Sequence, residues 1–250
     1  MIALYESRKG TWHKQAEMPN QDAAIALQIH NATIAVLCDG VSLNYRMEPS
    51  LSEEASRFCV KESVAYLRSH LHTNTPDAEM DSLLRSLFVH ARQEMIRYLN
   101  AKGIEEGDAS TTMLVAIYRK GKLWGGLAGD GGILYERTDR SIAMMVTEIK
   151  TSSMVYSLRD SRHWAFFNSL GSPLPVRRVF IATDGVFDTI CGWNGQGVVC
   201  HVDELFDFWN VSRVKEKQRE AYLKARVDEV QSGDDLSVAL IEDSHYFHTK

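Results

Sequence analysis

Two apolar segments of this 250-residue chain end in the same way, with an aspartate followed by a glycine. Ala35 to Cys38 precedes Asp39-Gly40, and Phe180 to Thr183 precedes Asp184-Gly185. Short, continuous apolar runs are typical of strands that are buried on both faces. Such a strand delivers its carboxylate at the edge of a sheet, where the ends of several strands can converge. The sequence therefore predicts a buried sheet with acidic side chains at one edge.

Three further aspartates lie in the same setting. Asp130 and Asp234 occupy glycine-containing turns, and Asp22 comes just before the first apolar run. A single Asp-Gly pair is an ordinary turn, but several carboxylates that meet require neutralising cations. Oxygen ligands without His or Cys at metal-binding spacing favour magnesium or manganese over zinc or copper. The residues alone predict a carboxylate metal centre, with hydrolysis of a phosphate ester as its chemistry.

The remaining pattern predicts antiparallel hairpins and helices that come in pairs. Strand-like runs cover residues 23–29, 32–37, 111–118, 123–128, 133–135, 179–183 and 236–241. Helical spacing of apolar residues covers 52–70, 81–100 and part of 204–230, whereas 137–175 reads as strand fragments and loop. Neither an internal repeat nor a linker divides the chain, which favours one α/β domain.

Composition excludes several classes of function. The 33 acidic against 28 basic residues give a net charge of -5, so the chain lacks the cationic surplus that captures nucleic acid or acidic lipid. The chain has no Gly-rich loop with a lysine, which argues against a nucleotide hydrolase of the P-loop class.

The four cysteines form no CxxC pair, and we expect them to be buried free thiols. Without a signal peptide or a long apolar span, we expect a cytoplasmic monomer with no membrane or nucleic-acid partner.

Six short motifs occur in a fixed order along nearly the whole chain. They are Asn20-Gln21-Asp22, Asp39-Gly40, Ser110-Thr111-Thr112, Gly129-Asp130-Gly131, Thr183-Asp184-Gly185-Val186-Phe187-Asp188 and Asp234-Asp235-Leu236-Ser237-Val238. The set resembles the metal-dependent serine/threonine protein phosphatases of type 2C, and most closely their compact bacterial branch. The resemblance implies a single domain over residues 1–250 with an α+β fold. In that fold two antiparallel sheets pack face to face, with a pair of helices on each outer surface.

The resemblance also implies two Mn²⁺ or Mg²⁺ ions per chain. Asp39 matches the carboxylate that bridges the ions, and Gly40 matches a residue whose carbonyl binds one of them. Asp184 and Asp234 match ligands of the other ion. A hydroxide that bridges the two metals would then attack the phosphorus of phosphoserine or phosphothreonine in line.

Other positions match supporting roles in the family. Asp22 matches an acidic residue that holds metal-bound waters, and Asp130 matches the aspartate of a weaker third metal. Asp235 lies where many members have Asn, so we expect it to support the ligands or the turn. The family's flap motif and its aspartate have no clear match. The alternatives for a third metal are Asp139, Glu148 and Asp160, and the sequence does not choose among them.

The chain departs from the family pattern around the substrate phosphate. Gln21 replaces the usual Glu before Asp22, and Glu17 stands where an arginine commonly binds phosphate. His13 and Lys14 are the nearby candidates for that role, and His13 is also a candidate donor of the leaving-group proton. Residues 41–44 lack the glycines or histidine that follow Gly40 in relatives.

Three functions are compatible with these residues. The first is a phosphatase for phosphorylated proteins, working opposite a cognate serine/threonine kinase. The second is a non-catalytic regulator that binds a phosphoprotein or a kinase, as the changes at Gln21 and Glu17 would allow. The third is a hydrolase of small phosphoesters, because metal chemistry does not specify the leaving group. The basic stretch 211–230 is read as a solvated helix face, with a docking surface as the alternative.

Overall fold

Two five-stranded antiparallel sheets carry the fold. The computed structural model describes residues 1–41, 51–105, 108–146, 155–193, 198–200, 206 and 209–243. The first sheet has, in spatial order, β1 (Ile2–Arg8), β14 (Leu236–Glu242), β11 (Val176–Ala182), β8 (Gly132–Arg137) and β9 (Ile142–Val146). The second has β10 (Ala165–Asn168), β7 (Lys122–Ala128), β6 (Met113–Arg119), β3 (Ala32–Cys38) and β2 (Ala23–Ile29).

Helices and two short strand pairs complete the described elements. The helices are α1 (Thr11–Gln15), α2 (Ser52–His70), α3 (Met80–Ala101), α4 (Asp184–Ile190) and α5 (Arg219–Glu229). The short pairs join β4 (Gly40–Val41) to β5 (Ser110–Thr111), and β12 (Cys191–Trp193) to β13 (Val198–Cys200). Single 3₁₀ turns cover Asp77–Glu79, Ser161–His163, Val211–Arg213 and Glu216–Gln218.

Three hydrophobic clusters separate four layers. One cluster lies between the two sheets and includes Leu37 and Ile181. A second lies between the outer face of the β10–β2 sheet and the helices α2 and α3. The third joins the outer face of the other sheet to α4 and α5. The α+β sandwich that the family resemblance implied is thus confirmed, with helices covering both outer surfaces.

Alternation along β3 explains its continuous apolar sequence. Ile34 and Val36 contact the helix-side cluster, while Ala35 and Leu37 contact the cluster between the sheets. Successive side chains of a strand point to opposite faces, and both faces of this sheet are covered. Every residue of β3 is therefore buried.

Sequence patterns located most elements, with two instructive differences. The strand β1 was not predicted, since its apolar residues are interrupted by Glu6 and Arg8 at the edge of a sheet. The helix α4 begins directly at Asp184, where only the end of a strand was predicted. The strand fragments predicted within residues 137–175 are the edge strands β9 and β10. Among the described residues, no helix is long and apolar enough to cross a bilayer.

The cysteine prediction is confirmed for Cys38 and Cys59, which are buried free thiols. The side chains of Cys191 and Cys200 lie outside the described part of the chain. The hairpin between β6 and β7 turns at Lys120 and Gly121, whose φ angles are 51° and 77°. Two successive positive φ values are typical of the tight type I′ turn, which explains the glycine there.

The layer between α3 and its sheet predicts the first mutational result. Phe88 has no exposed surface. Its ring packs edge-on against those of Trp164 and Phe166, with ring centroids 5.6 and 5.0 Å apart. Phe88→Ala should lower the free energy of unfolding by about 3–5 kcal/mol because it leaves a cavity. The neighbouring Val89 is 46% exposed, so Val89→Ala should change stability by less than about 0.5 kcal/mol. Urea denaturation measures both, and similar losses for the two variants would contradict the layer assignment.

Candidate metal centre

The ends of several strands meet at one edge of the sandwich. In the second sheet Ala23, the first residue of β2, pairs with Cys38, the last residue of β3. In the first sheet Ala182, the last residue of β11, pairs with both Gly132 and Val238. Because neighbouring antiparallel strands run in opposite directions, the starts of β2, β8 and β14 lie beside the ends of β3 and β11. The residues that flank these ends are the predicted aspartates.

Three of these aspartates form a compact cluster. One carboxylate oxygen from each of Asp39, Asp130 and Asp184 lies within 4.8 Å of the other two. Asp184 is buried, and the other two are half-buried. Oxygen ligands lie about 2.1 Å from Mg²⁺, so two ligands of one ion are separated by at most about 4.2 Å. The three carboxylate oxygens are therefore nearly close enough to bind one small cation together. A small rotation of the side chains would bring them within that limit.

Electrostatics extend the cluster to five carboxylates. Burial raises the pKa of Asp39 well above its usual value, and the negative charges of Asp22, Asp184, Asp234 and Asp130 raise it further. Burial likewise raises the pKa of Asp22 from 3.8 to about 8. Burial and the charge of Asp184 raise the pKa of Asp234. The structure therefore brings the other four predicted aspartates within electrostatic reach of Asp39.

This donor set fits hard divalent cations. The strongest electrostatic neighbours of Asp39 are all carboxylates, and a group of like charges is stable only with protons or cations among them. The cluster consists of oxygen donors alone, which magnesium and manganese prefer. The residues present therefore suit the cations that the sequence predicted.

Hydrogen bonds to β5 and the following residue hold the backbone of Asp39. Its carbonyl oxygen accepts from Thr112 N and from Thr111 Oγ1, each at 2.8 Å. Its own N–H donates to Thr112 Oγ1 at 3.0 Å. In the sequence these threonines looked like the start of a core strand, yet they also position the backbone of Asp39. The only sequence signal for this was their place in the ordered set of motifs.

Thr183 connects Asp22 of one sheet to the other sheet. Its Oγ1 donates to Asp22 Oδ2 at 2.8 Å and accepts from Ser237 N at 3.1 Å. Thr183 follows β11, whereas Asp22 precedes β2 in the facing sheet. The hydroxyl group therefore fixes one acidic side chain across the interface of the sandwich. Periodicity assigned Thr183 only to a strand.

Asp235 is a hub for the N-terminal segment. Its carboxylate accepts from Gly10 N at 2.7 Å and from Gln21 N at 2.6 Å. The side chain is 1% exposed, and Nδ1 of His13 lies 2.8 Å from its Oδ2. His13 also lies close enough to Asp234 to offset part of the rise in the pKa of that carboxyl. Asp235 thus orients α1 and the segment that leads to Asp22.

Two glycines allow elements to approach each other closely at this edge. A side chain at Gly185 would place its Cβ 1.9 Å from the carbonyl oxygen of Asp235. At Gly40 a Cβ would lie 2.8 Å from the backbone of Ser52, the first residue of α2. Contacts this short do not occur, so both positions require glycine. The Asp-Gly pairs therefore serve the packing of neighbouring segments as well as chain reversal.

Several predicted positions lie away from the carboxylates. Asp139 accepts from Ser141 in the exposed turn between β8 and β9. Asp160 pairs with Arg162, which lowers the pKa of Asp160 to about 2. Glu148 and residues 42–44 lie outside the described residues.

The two substitutions near the substrate side have different surroundings. Gln21 is 6% exposed, and its Nε2 has no hydrogen-bond partner in the described part of the chain. Glu17 is exposed, with a φ of 54° after α1. Lys14 is exposed on α1. Gln21 therefore keeps a buried donor beside the cluster, while Glu17 lies at the surface.

Comparison with known proteins agrees with this architecture. A sequence model described as protein phosphatase 2C matches residues 9–227. The chain belongs to the protein phosphatase 2C family. The match includes Asp22, Asp39, Asp130 and Asp184, whereas Asp234 lies just beyond its end. No curated protein sequence matches the chain.

Solved structures with the protein phosphatase 2C fold cover nearly all of this chain. A bacterial serine phosphatase has a TM-score of 0.70 at 16% identity, over 98% of this chain and 99% of its own. Stp1 from Staphylococcus aureus has a TM-score of 0.68 at 15% identity, over 98% and 95%. The catalytic domain of PstP, in complex with two manganese ions, has a TM-score of 0.63 at 13% identity, over 96% and 97%. At these identities the likeness concerns the fold.

Raised carboxyl pKa values predict how pH affects the metal-free protein. Folded Asp22 binds its proton up to a pH of about 8, whereas the unfolded chain loses it near 3.8. The folded state holds the extra proton, so this contribution to stability is complete below pH 4 and is lost as pH rises to 8. The free energy of unfolding should fall between pH 5 and 8, by up to about 1.4 kcal/mol per pH unit for one proton.

Urea denaturation in a chelator measures this slope. Asp22→Asn should reduce it, and saturating Mn²⁺ should remove it because the cation replaces the proton. Asp139→Asn, in an exposed turn, is the matched control and should keep the wild-type slope. Equal slopes in all three proteins would contradict the electrostatic cluster.

The bonds to Asp235 predict a loss of stability with a matched control. Asp235→Asn places an NH₂ group against backbone N–H donors, so unfolding should become easier by about 1–3 kcal/mol. Asp228 is 54% exposed and pairs with Arg8, so Asp228→Asn should cost less than about 1 kcal/mol. Thermal and urea unfolding compare the two, and equal effects would show that Asp235 is not a hub.

Proposed function

We propose that this protein is a metal-dependent phosphatase that hydrolyses phosphoserine and phosphothreonine in proteins. The observation that carries the proposal is the approach of Asp39, Asp130 and Asp184 to within 4.8 Å at the edge of the sandwich. Membership of the protein phosphatase 2C family, over residues 9–227, supports the reaction class. The manganese ions of PstP support the type of cation.

The proposed cofactors are two Mn²⁺ or Mg²⁺ ions per chain. Asp39 would be shared between them, with the Gly40 carbonyl on one side and Asp184 and Asp234 on the other. Asp22 lies beside Asp39 and would hold waters of the site. Its carboxylate is fixed for this by Thr183. Asp130 would hold a third, weaker ion.

Bound divalent cations supply a nucleophile from water near neutral pH and stabilise negative charge on phosphoryl oxygens. The chain itself supplies the orientation. Thr111 in β5 and the following Thr112 fix the Asp39 backbone, so the carboxylate is carried by an ordered main chain. A preorganised donor set does not have to reorganise as charge develops, and this lowers the barrier.

His13 is proposed to deliver a proton to the leaving serine or threonine oxygen. Its Nδ1 lies 2.8 Å from Oδ2 of the buried Asp235 carboxylate, and Nε2 is the nitrogen proposed to contact the substrate. A protonated imidazole can act as a general acid toward the leaving oxygen. Lys14, exposed on the same short helix, is proposed to attract the substrate phosphate in place of the arginine that Glu17 replaces.

The proposed partners are phosphorylated proteins and a cognate serine/threonine kinase. We further propose that the protein acts in the cytoplasm as a monomer. Size-exclusion chromatography with light scattering tests the oligomeric state.

Replacement of Asp39 tests the enzyme against a non-catalytic regulator. Asp39→Asn should reduce manganese-dependent hydrolysis of p-nitrophenyl phosphate by at least about 100-fold, because it removes the shared ligand. Asp139→Asn makes the same chemical change in an exposed turn and should retain activity within about twofold. If wild type and Asp39→Asn were equally inactive across metals and pH, the regulator would be the better hypothesis.

Substrate competition tests the small-phosphoester alternative. Phosphothreonine peptides should inhibit p-nitrophenyl phosphate hydrolysis more strongly than nucleoside monophosphates or triphosphates. Preferential turnover of nucleotides would refute protein phosphatase activity while leaving the metal centre in place.

A further inference from the structure

A groove of about 460 Å³ lies between the edge strand β2 and the helix α2. Its floor is apolar and comes from both elements: Ala23, Ile25, Val60, Val64 and Ala65. Its remaining lining residues are all cations: Arg57, Lys61 and Arg68. An apolar floor with a cationic rim suits a ligand that is both extended and negatively charged.

The rim cations are exposed and lack ion pairs in the part of the chain that the structure describes. Arg57 lowers the pKa of Glu54, but that carboxylate already accepts from Lys102 and Tyr98. Three such charges along one groove are notable in a chain with a net charge of -5. Their electrostatic attraction is directed toward solvent, where it favours an acidic partner.

The strand β2 offers a second kind of contact. It forms one edge of its sheet and pairs with β3 on the other side. Among the described residues no strand pairs with its outer side. Ala23 and Ile25 are half-buried on the helix side of β2, so this part of the strand reaches the surface in the groove. An extended peptide binds such an edge through main-chain hydrogen bonds, and side-chain contacts then give selectivity.

The groove begins at the metal centre and runs away from it. Ala23 follows Asp22 directly, and Ser56, which precedes Arg57, donates a hydrogen bond to the carbonyl oxygen of Gln21. From Arg57 to Arg68 the helix rises about 16 Å. An extended peptide covers that distance with about five residues. A chain whose phosphorylated residue sits at the carboxylates would thus reach Lys61 and Arg68 with its flanking residues.

We propose that the groove between β2 and α2 binds an extended acidic segment of the substrate protein, within about five residues of the phosphorylated serine or threonine. This inference rests on the proposed phosphatase function and adds a substrate class to it. Arg57, Lys61 and Arg68 select acidic flanking residues, and the β2 edge holds their backbone. They are specificity residues and take no part in the chemical step.

The first experiment measures turnover with matched substrates. Phosphothreonine peptides carry four Glu or four Gln residues, placed before or after the phosphorylated position, and p-nitrophenyl phosphate reports on the metal centre separately. In wild type, kcat/KM should be at least about tenfold higher for one acidic peptide than for its Gln counterpart. The preference should decrease as salt increases, because the rim is exposed.

The decisive variant is Lys61→Glu combined with Arg68→Glu. It should reduce the kcat/KM of the preferred acidic peptide, relative to that of p-nitrophenyl phosphate, by at least about tenfold. The matched control is Lys224→Glu with Lys217→Glu, two exposed positions on the opposite outer surface that carry the same charge change. The control should preserve the wild-type ratio within about twofold. Equal loss in both variants, or an unchanged ratio in the groove variant, would overturn the proposal.

A binding measurement separates this inference from the proposed catalysis. Fluorescence anisotropy of an unphosphorylated Glu-rich peptide requires no turnover, and the groove variant should weaken its binding at least about tenfold. Backbone N-methylation of the peptide should also weaken binding, and unchanged affinity would overturn the pairing with β2. If the groove variant altered sedimentation without altering peptide binding, a second copy of the chain would be the occupant and the proposal would fail. Loss of all phosphatase activity with intact peptide binding would instead refute only the proposed function.

Discussion

Antiparallel strand register decides where the acidic side chains of this molecule lie. Cys38 pairs with Ala23, and Ala182 pairs with Gly132 and Val238. The residues just beyond these pairs are the aspartates of the metal centre. A slip of one residue would turn each strand's side chains to the opposite face and would separate the carboxylates. Both faces of each sheet are buried, and a slip would exchange the contacts of two hydrophobic layers. Burial therefore prevents the slip.

Convergence of carboxylates creates a problem that the surrounding structure only partly solves. Thr111, Thr112 and Thr183 fix the backbone of Asp39 and the side chain of Asp22. These bonds give direction, but burial and, after it, the neighbouring negative charges still raise the pKa values of Asp22 and Asp39. A site that is rigid in geometry and unbalanced in charge is suited to bind cations. Rigidity and charge imbalance have the same origin, since both follow from packing strand ends closely together.

Recognition and chemistry occupy different elements in the proposed enzyme. The loops at strand ends hold the carboxylates, whereas α2 and the edge of β2 form a groove with a cationic rim. The sequence drew attention to another basic stretch, around α5, and read it as a solvated face. In the structure α5 buries Leu223 and Val227 and leaves Lys224 exposed, and the solvated face stays a prediction. Both helices are amphipathic and lie beside an edge strand, and α2 borders a groove with β2.

Local pattern determined much of this protein. Helical spacing located α2, continuous apolar runs located β3 and β11, and the ordered motifs indicated the family and its sandwich. These features depend on neighbouring residues, and sequence periodicity reports on them directly. The edge strand β1 and the short helix α4 were missed, because an interrupted or short apolar pattern shows little periodicity.

The tertiary structure alone decided which distant groups meet. Thr183 binds Asp22 across the two sheets, Asp235 binds the N–H groups of Gly10 and Gln21, and Gly185 lies against the backbone of Asp235. The groove likewise arises from two segments, residues 23–25 and 57–68. A sequence lists these groups without their distances, and the distances follow from how the sheets pack. The sequence determined the chemical groups of the site, and the packing of the sheets determined their arrangement.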